Sequence, residues 1–179
     1  MEKWRILKEE TVFEAPPYLS VKRQSVETGS GQVLDDFYQV HLRPFVVCVP
    51  FLENGNVLVI RQYKHGPGRV SLTFPAGFVD AGEAPIEACR RELFEETALK
   101  TPSLRHLGEF TDNGNQRGCV GNFYVATGCQ QTGSPISGDH EQMTMMELSP
   151  AQLDAAVLNR DIVITHHALA WSLARLAGS

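Results

Sequence analysis

An α+β fold, layered as a sandwich, follows from three features of this sequence. Short apolar runs of strand character outnumber the helical segments, and the two do not alternate one for one as a doubly wound sheet requires. Gly, Pro and Asn punctuate the runs at short intervals. At 179 residues, 42% hydrophobic and 21% charged, the chain suits one globular domain able to bury a core.

Taken in order, the first runs are Trp4 to Phe13, Leu19 to Thr28 and Gln32 to Val40, separated by Pro16-Pro17 and Gly29-Ser30-Gly31. The second carries Val21, Arg23, Ser25 and Glu27 on one face of a strand. Phe45 to Leu52 and Val57 to Tyr63 are joined by Glu53-Asn54-Gly55-Asn56, where Asn-Gly supplies the positive φ of a hairpin turn. A short strand near Leu72 to Phe74 leads through Pro75-Ala76-Gly77 into a loop. Pro85, with φ already fixed for a first turn, starts a helix to about Thr97. Strands follow at Leu104 to Phe110, Asn122 to Ala126 and Thr144 to Leu148. Ser149-Pro150-Ala151-Gln152 is a capping box that opens a helix to about Leu158. A last helix from near Asp161 to Ala177 places Ile162, His166, Leu169, Leu173 and Leu176 on one stripe, which makes His166 structural and sets its neighbour His167 on another face.

Composition narrows the function. Sixteen basic against 21 acidic residues give a formal charge of -5, so no basic footprint for nucleic acid exists, while small phosphorylated ligands stay open if a cation supplies charge locally. Cys48, Cys89, Cys119 and Cys129 form no CxxC pair, and reduced thiols in a cytoplasmic protein are expected. Nowhere do 18 apolar residues run together, and the N-terminus has no signal-like apolar region, so no membrane segment or export is expected.

The informative segment runs from Gly77 to Leu99. On its helix Glu92, Glu95 and Glu96 stand at i, i+3 and i+4 and share one face, with Cys89, Leu93 and Ile86 as the buried stripe beside them. Three like charges this close need solvent, cationic partners or a metal. Hard divalent ions take oxygen ligands, so the face reads as a platform for Mg²⁺ or Mn²⁺, or else as a solvated acidic face paired with Arg90 and Arg91.

Gly77, Glu83, Arg91, Glu92, Leu93, Glu95, Glu96 and Leu99 match G-x5-E-x7-R-E-U-x-E-E-x-G-U, U being a bulky aliphatic residue. The segment thereby resembles the signature of Nudix hydrolases, a match expected by chance in fewer than about one such chain in a million. The resemblance implies an α/β/α sandwich with a mixed sheet, in which 45–179 is the core, 77–99 the box, and 1–44 a strand-rich extension of a single domain. Ala98 departs from the signature by standing at its glycine, with an expected cost of roughly 1 to 2 kcal/mol if positive φ is needed there.

The resemblance also implies roles. Glu92 and Glu96 are expected as metal ligands with the Ala76 carbonyl, and Glu95 as a further ligand or the group that orients water; two to three Mg²⁺ or Mn²⁺ ions are expected. Gly77 lets the backbone come close, and Glu83 with Arg91 forms an ion pair tying loop to helix. Glu141, at the end of the polar stretch 128–142, falls where ADP-ribose hydrolases place a catalytic glutamate, with Asp139 and His140 as neighbours able to substitute.

Arg61-Gln62-Tyr63-Lys64 followed by Pro75-Ala76-Gly77 resembles elements of the ADP-ribose and nucleoside diphosphate sugar pyrophosphatases. That subgroup implies hydrolysis of ADP-ribose to AMP and ribose 5-phosphate, with N-terminal strands packed across a homodimer. Arg61 is expected at a phosphate or at the box glutamates, and Arg117 at a terminal phosphate or ribose. Trp4, Tyr18, Phe37 and Tyr38 are available for base stacking. Thr73, where glutamate is usual, and Asn115, where many relatives carry proline, depart from the subgroup. Other substrates in view are GDP-mannose, dinucleoside polyphosphates and coenzyme A derivatives; a non-catalytic nucleotide-sensing module would lack the box carboxylates this chain keeps.

Overall fold

A computed structural model describes residues 2–135 and 142–178. It divides into two compact units, 1–44 with 110–120, and 45–109 with 121–179. The boundary falls between Pro44 and Phe45; residues 110–120, which the sequence reading leaves in the core, join the first unit.

The first unit is an antiparallel meander of β1 (Arg5–Ala15), β2 (Leu19–Glu27) and β3 (Val33–Leu42). Tyr18 N donates to Ala15 O at 2.8 Å in the first turn, and Gly31, at φ 82°, closes the second. The buried residues of β2 are Gln24 and Val26, and the register slips between them. The face defined by Val21, Arg23, Ser25 and Glu27 is therefore the less buried one. β1 is exposed along nearly its whole length.

The second unit holds β4 (Phe45–Leu52), β5 (Val57–Lys64), β6 (Arg69–Thr73), β7 (Ala76–Phe78), α1 (Pro85–Thr97) and β8 (Leu99–Lys100). After these come β9 (Ser103–Asn113) and β10 (Arg117–Gln131), which run through both units, then β11 (Met143–Leu148), α2 (Pro150–Leu158) and α3 (Thr165–Leu176). Its central strands lie in the order β10-β4-β5-β11; β4 is parallel to β10, and β5 is antiparallel to β4 and β11. This is the mixed sheet expected of the α/β/α sandwich. β4 is apolar throughout because it is covered on both sides. Val46 and Cys48 pack with Ala88, Cys89 and Leu93 of α1, whereas Phe45 meets His166 and Phe51 stacks on Trp171 of α3.

The Asn-Gly hairpin forms, with Leu52 N bonded to Asn56 O at 2.8 Å, yet only Gly55 carries the positive φ; Asn54 instead accepts the Asn56 amide. The capping box closes as expected, Gln152 N on Ser149 Oγ and Ser149 N on Gln152 Oε1. β7 was not legible, since three residues after a proline carry no period; its pairing of Val47 with Ala76 and Val46 with Gly77 welds the start of the box to the central sheet. In α1 Cys89 and Leu93 are buried, but Ile86 is exposed and Ala88 and Thr97 complete the buried face.

The last helix corrects the sequence reading. It begins at Thr165, and its buried residues are His167, Ala170, Trp171 and Ala174, while Leu176 is 86% exposed. Small alanines admit close approach to the sheet and the buried Trp171 is the largest side chain of that face, so counting leucines picks the wrong face. His167 Nδ1 accepts the Phe74 amide at 3.2 Å, and burial holds its imidazole well below the ordinary pKa. His166 is the half-buried neighbour.

Trp171 Nε1 also donates to Asp154 of α2 at 2.8 Å. Trp171→Ala is expected to lose about 3–5 kcal/mol in urea denaturation, whereas Leu176→Ala should stay within about 0.5 kcal/mol of the parent; equal losses would contradict the observed face.

Candidate active site

The site is assembled by the loop between β7 and α1 and by one face of that helix. α1 starts at Pro85 with Ala84 as a cap that offers no side-chain bond. At its other end Ala98 adopts φ 56°, the left-handed conformation for which the signature uses glycine, and its amide donates to Phe94 O at 2.7 Å. Alanine there costs about 1–2 kcal/mol; its side chain is fully buried, which offsets part of that.

Glu92 and Glu96 both return to the first residues of the box. Ala76 N donates to Glu96 Oε2 at 3.0 Å. A Cβ placed on Gly77 would lie 2.1 Å from Glu92 Cδ and Oε1, so only glycine admits that carboxylate. Two carboxylates of one helical turn therefore meet one step of the β7 backbone.

Arg91 does more than the loop-to-helix pairing expected of it. Its Nε and Nη2 each donate to Glu83 at 3.0 Å, the bidentate geometry that suits a carboxylate, and Nη2 also donates to Phe78 O at 3.0 Å. Nη1 turns the other way, to Glu92 Oε1 at 2.5 Å and Glu95 Oε2 at 3.3 Å. One guanidinium thus supplies the positive charge among three acids. Its bonds, with the Asp80 amide behind them, hold the Glu83 carboxyl down at about 2. Among the described residues no three acidic, Cys or His side chains form a ready metal cage. The oxygen donors of Glu92 and Glu96 beside the Ala76–Gly77 backbone fit a hard divalent ion in chemistry, while Glu95 is drawn toward Arg91.

The other expected residues lie elsewhere. Arg61 is exposed in β5; Leu58 packs with α1, so alternation turns Arg61 to the opposite face. There it lines a cavity of about 420 Å³ with Arg69, Ser71, Leu72, Met146 and Asp161 and no box residue. Thr73 is buried, its hydroxyl accepting from Gln62 at 2.8 Å. Arg117 belongs to the first unit, its Nη1 on His41 Nδ1 at 3.1 Å. Trp4 lies edge-on to Phe37, and Tyr18 and Tyr38 are exposed. Asp139, His140 and Glu141 lie outside the described residues. Two partners escaped the sequence reading: the Phe78 carbonyl, whose identity as a residue is irrelevant to its role, and His41, which no motif marks.

Residues 41–167 match the NUDIX domain, and the chain belongs to the Nudix family. It is 34% identical over 148 residues to an ADP-ribose pyrophosphatase of Mycobacterium tuberculosis, covering 80% of this chain and 70% of that protein. It is 29% identical over 138 residues to an ADP-sugar pyrophosphatase of Mus musculus, covering 66% of this chain and 58% of that one. A crystal structure of an ADP compounds hydrolase superposes with a TM-score of 0.80 at 23% identity, over 98% of this chain and 94% of that one, which shows the fold.

The Glu83 carboxyl is lowered from 4.5 to about 2, so the stabilisation it gives is complete above 4.5 and is lost as the pH falls toward 2. Glu83→Gln should lower the melting temperature at pH 7 and flatten that acid limb; an unchanged limb would contradict the pairing.

Proposed function

We propose that the chain is a divalent-metal-dependent hydrolase of nucleoside diphosphate sugars, with ADP-ribose as its substrate and AMP and ribose 5-phosphate as products. It is an enzyme that acts on phosphoanhydride bonds. The observation that carries this reading is the convergence of the Glu92 and Glu96 carboxylates on the Ala76–Gly77 backbone, in a chain similar to ADP-ribose and ADP-sugar pyrophosphatases.

In this reading Glu92, Glu96 and the Ala76 carbonyl hold Mg²⁺ or Mn²⁺, two to three ions in all, with Glu95 as a further ligand or as the group that orients water. When bound, such ions neutralise the diphosphate oxygens and make water a stronger nucleophile. Gly77 keeps space for the Glu92 carboxylate, and Arg91, anchored on Glu83, keeps Glu92 and Glu95 from repelling each other apart. Glu95, with 46% of its side chain exposed and only a 3.3 Å bond to Arg91, is free to turn toward solvent or ligand. Glu141 takes the proton of the attacking water, the new oxygen–phosphorus bond forms, and the bridging phosphoanhydride bond breaks. Arg117 is assigned to a phosphate or ribose of the substrate, whereas Arg61, on the face of β5 turned away from α1, is left out of the site.

We assign a cytoplasmic location and a homodimer with the same reading. Cys48, Cys89 and Cys129 are buried free thiols, and no helix among the described residues is long and apolar enough to cross a membrane. Ile6, Val12 and Phe13 of β1 are exposed apolar residues that a second copy would cover. Sedimentation at micromolar concentration should give twice the chain mass; a monomer would remove the dimer from the account.

Assayed against ADP-ribose, GDP-mannose, a dinucleoside polyphosphate and a coenzyme A derivative with and without Mg²⁺, the protein should release AMP fastest from ADP-ribose and only with metal. Faster turnover of another member reassigns the substrate, and binding without turnover would mark a sensing module. Glu96→Gln should abolish turnover with the circular dichroism unchanged, and undiminished turnover would reject the metal assignment. Glu141→Gln should lower kcat about 10²–10⁴-fold with little change in metal affinity.

A further inference from the structure

Arg117 occupies an unusual place in the first unit. It stands at φ 66°, followed by Gly118 at φ 68°, so a non-glycine residue carries a left-handed backbone that tends to mark function when its surroundings enforce it. They do. Asn113 Oδ1 accepts the amides of Asn115 and Gln116 at 2.9 and 2.7 Å, Val40 N donates to Gln116 O at 2.9 Å, and Gln39 reaches Asn115 O at 3.2 Å. Asp112 Oδ2 accepts the Cys119 amide. The turn is fixed before any ligand arrives.

The half-buried guanidinium has a bond to His41 Nδ1 at 3.1 Å and, among the described residues, no ion pair with a carboxylate. Arginine only donates, so Nδ1 accepts and the neutral ring carries its proton on Nε2. That nitrogen is buried and has no partner. A buried donor without a partner is costly, yet the other tautomer would set two donors against each other across 3.1 Å. The ring thus gives up satisfaction at one nitrogen to keep its lone pair on Arg117.

We propose that His41 is a positioning residue: it holds the Arg117 guanidinium by one N–H so that the remaining N–H groups face a phosphate of the ligand. That the ligand is a nucleoside diphosphate sugar rests on the function proposed above; the His41–Arg117 geometry does not. A guanidinium without a carboxylate partner matches a phosphate oxygen pair.

The arrangement brings a pH response. His41 faces Arg117 on β10, Lys22 on β2 and Glu9 on β1, and lines a cavity with Glu14, Tyr18 and Arg43. Burial first, then Arg117 and Lys22, lower its pKa against the opposing pull of Glu9. It is neutral at pH 7, and its protonation is displaced to lower pH than that of an ordinary histidine. On further acidification Nδ1 gains a proton and turns from acceptor to like-charged donor, and Arg117 is let go.

Histidine ¹⁵N spectra of the wild-type protein at pH 7 should show His41 with Nδ1 bare and Nε2 protonated; a protonated Nδ1 overturns the proposal outright. With ADP-ribose and Mg²⁺, His41→Leu should raise KM about tenfold with kcat within about twofold, and Arg117→Ala should do at least as much. His41→Asn, whose side-chain oxygen can stand near the Nδ1 position, should restore KM at pH 7 and remove the rise in KM expected of the wild type in acid. An unchanged KM in His41→Leu beside a raised KM in Arg117→Ala would sink the positioning role, and an unchanged KM in both would remove Arg117 from the ligand. Either leaves the hydrolase reading intact. If the wild type does not turn over ADP-ribose, that reading fails by itself. Inorganic pyrophosphate titrated by NMR then decides the inference: its affinity should fall about tenfold in His41→Leu and Arg117→Ala and hold in His41→Asn, and equal affinities in all would reject it.

Discussion

Three carboxylates on one turn of a helix repel one another, and the box is built around that repulsion. Arg91 answers it with a single group: two nitrogens clasp Glu83 in the loop and the third reaches Glu92 and Glu95 on the helix. The loop is thereby fastened to the helix by the charge that the helix needs. β7 fastens the same loop to the central sheet through Val46 and Val47. The oxygen donors consequently sit on rigid elements, as the metal-binding role proposed for them requires.

The rest of the second unit serves that placement. α1 is seated by Ala88, Cys89 and Leu93 against β4 and β5, and the opposite face of the sheet is closed by Trp171 and Phe74. Because β4 is covered on both sides, its residues have no freedom of register, and β7 inherits its position from them. The left-handed Ala98 ends α1 one residue after the buried Thr97, whose hydroxyl donates to Leu93 O, so the carboxylate turn lies close to the helix end without fraying.

Much of this was legible in the sequence because it rests on local chemistry. The span of α1, the capping box at Ser149 and the hairpin at Gly55 each follow from one or two residues whose backbone preference leaves little choice. The three acids of one helix face were legible for the same reason. What escaped depends on tertiary contact: β7 exists because β4 pairs with it, the buried face of α3 is chosen by small alanines fitting the sheet, and the reach of Arg91 to Glu92 and Glu95 is set by where the loop carries Glu83. The turn of Arg61 away from the helix follows from strand alternation, but only once Leu58 is known to face α1.

The central claim is that Glu92 and Glu96, with the backbone at Ala76–Gly77, take a divalent ion. A crystal soaked in Mn²⁺ and measured at the manganese absorption edge tests it most directly. An anomalous peak is expected about 2.0–2.3 Å from an oxygen of each glutamate, with Arg91 Nη1 withdrawn from Glu92 and its clasp on Glu83 kept. Manganese bound at other residues, or Glu92 still paired to Arg91 at saturating metal, would contradict it.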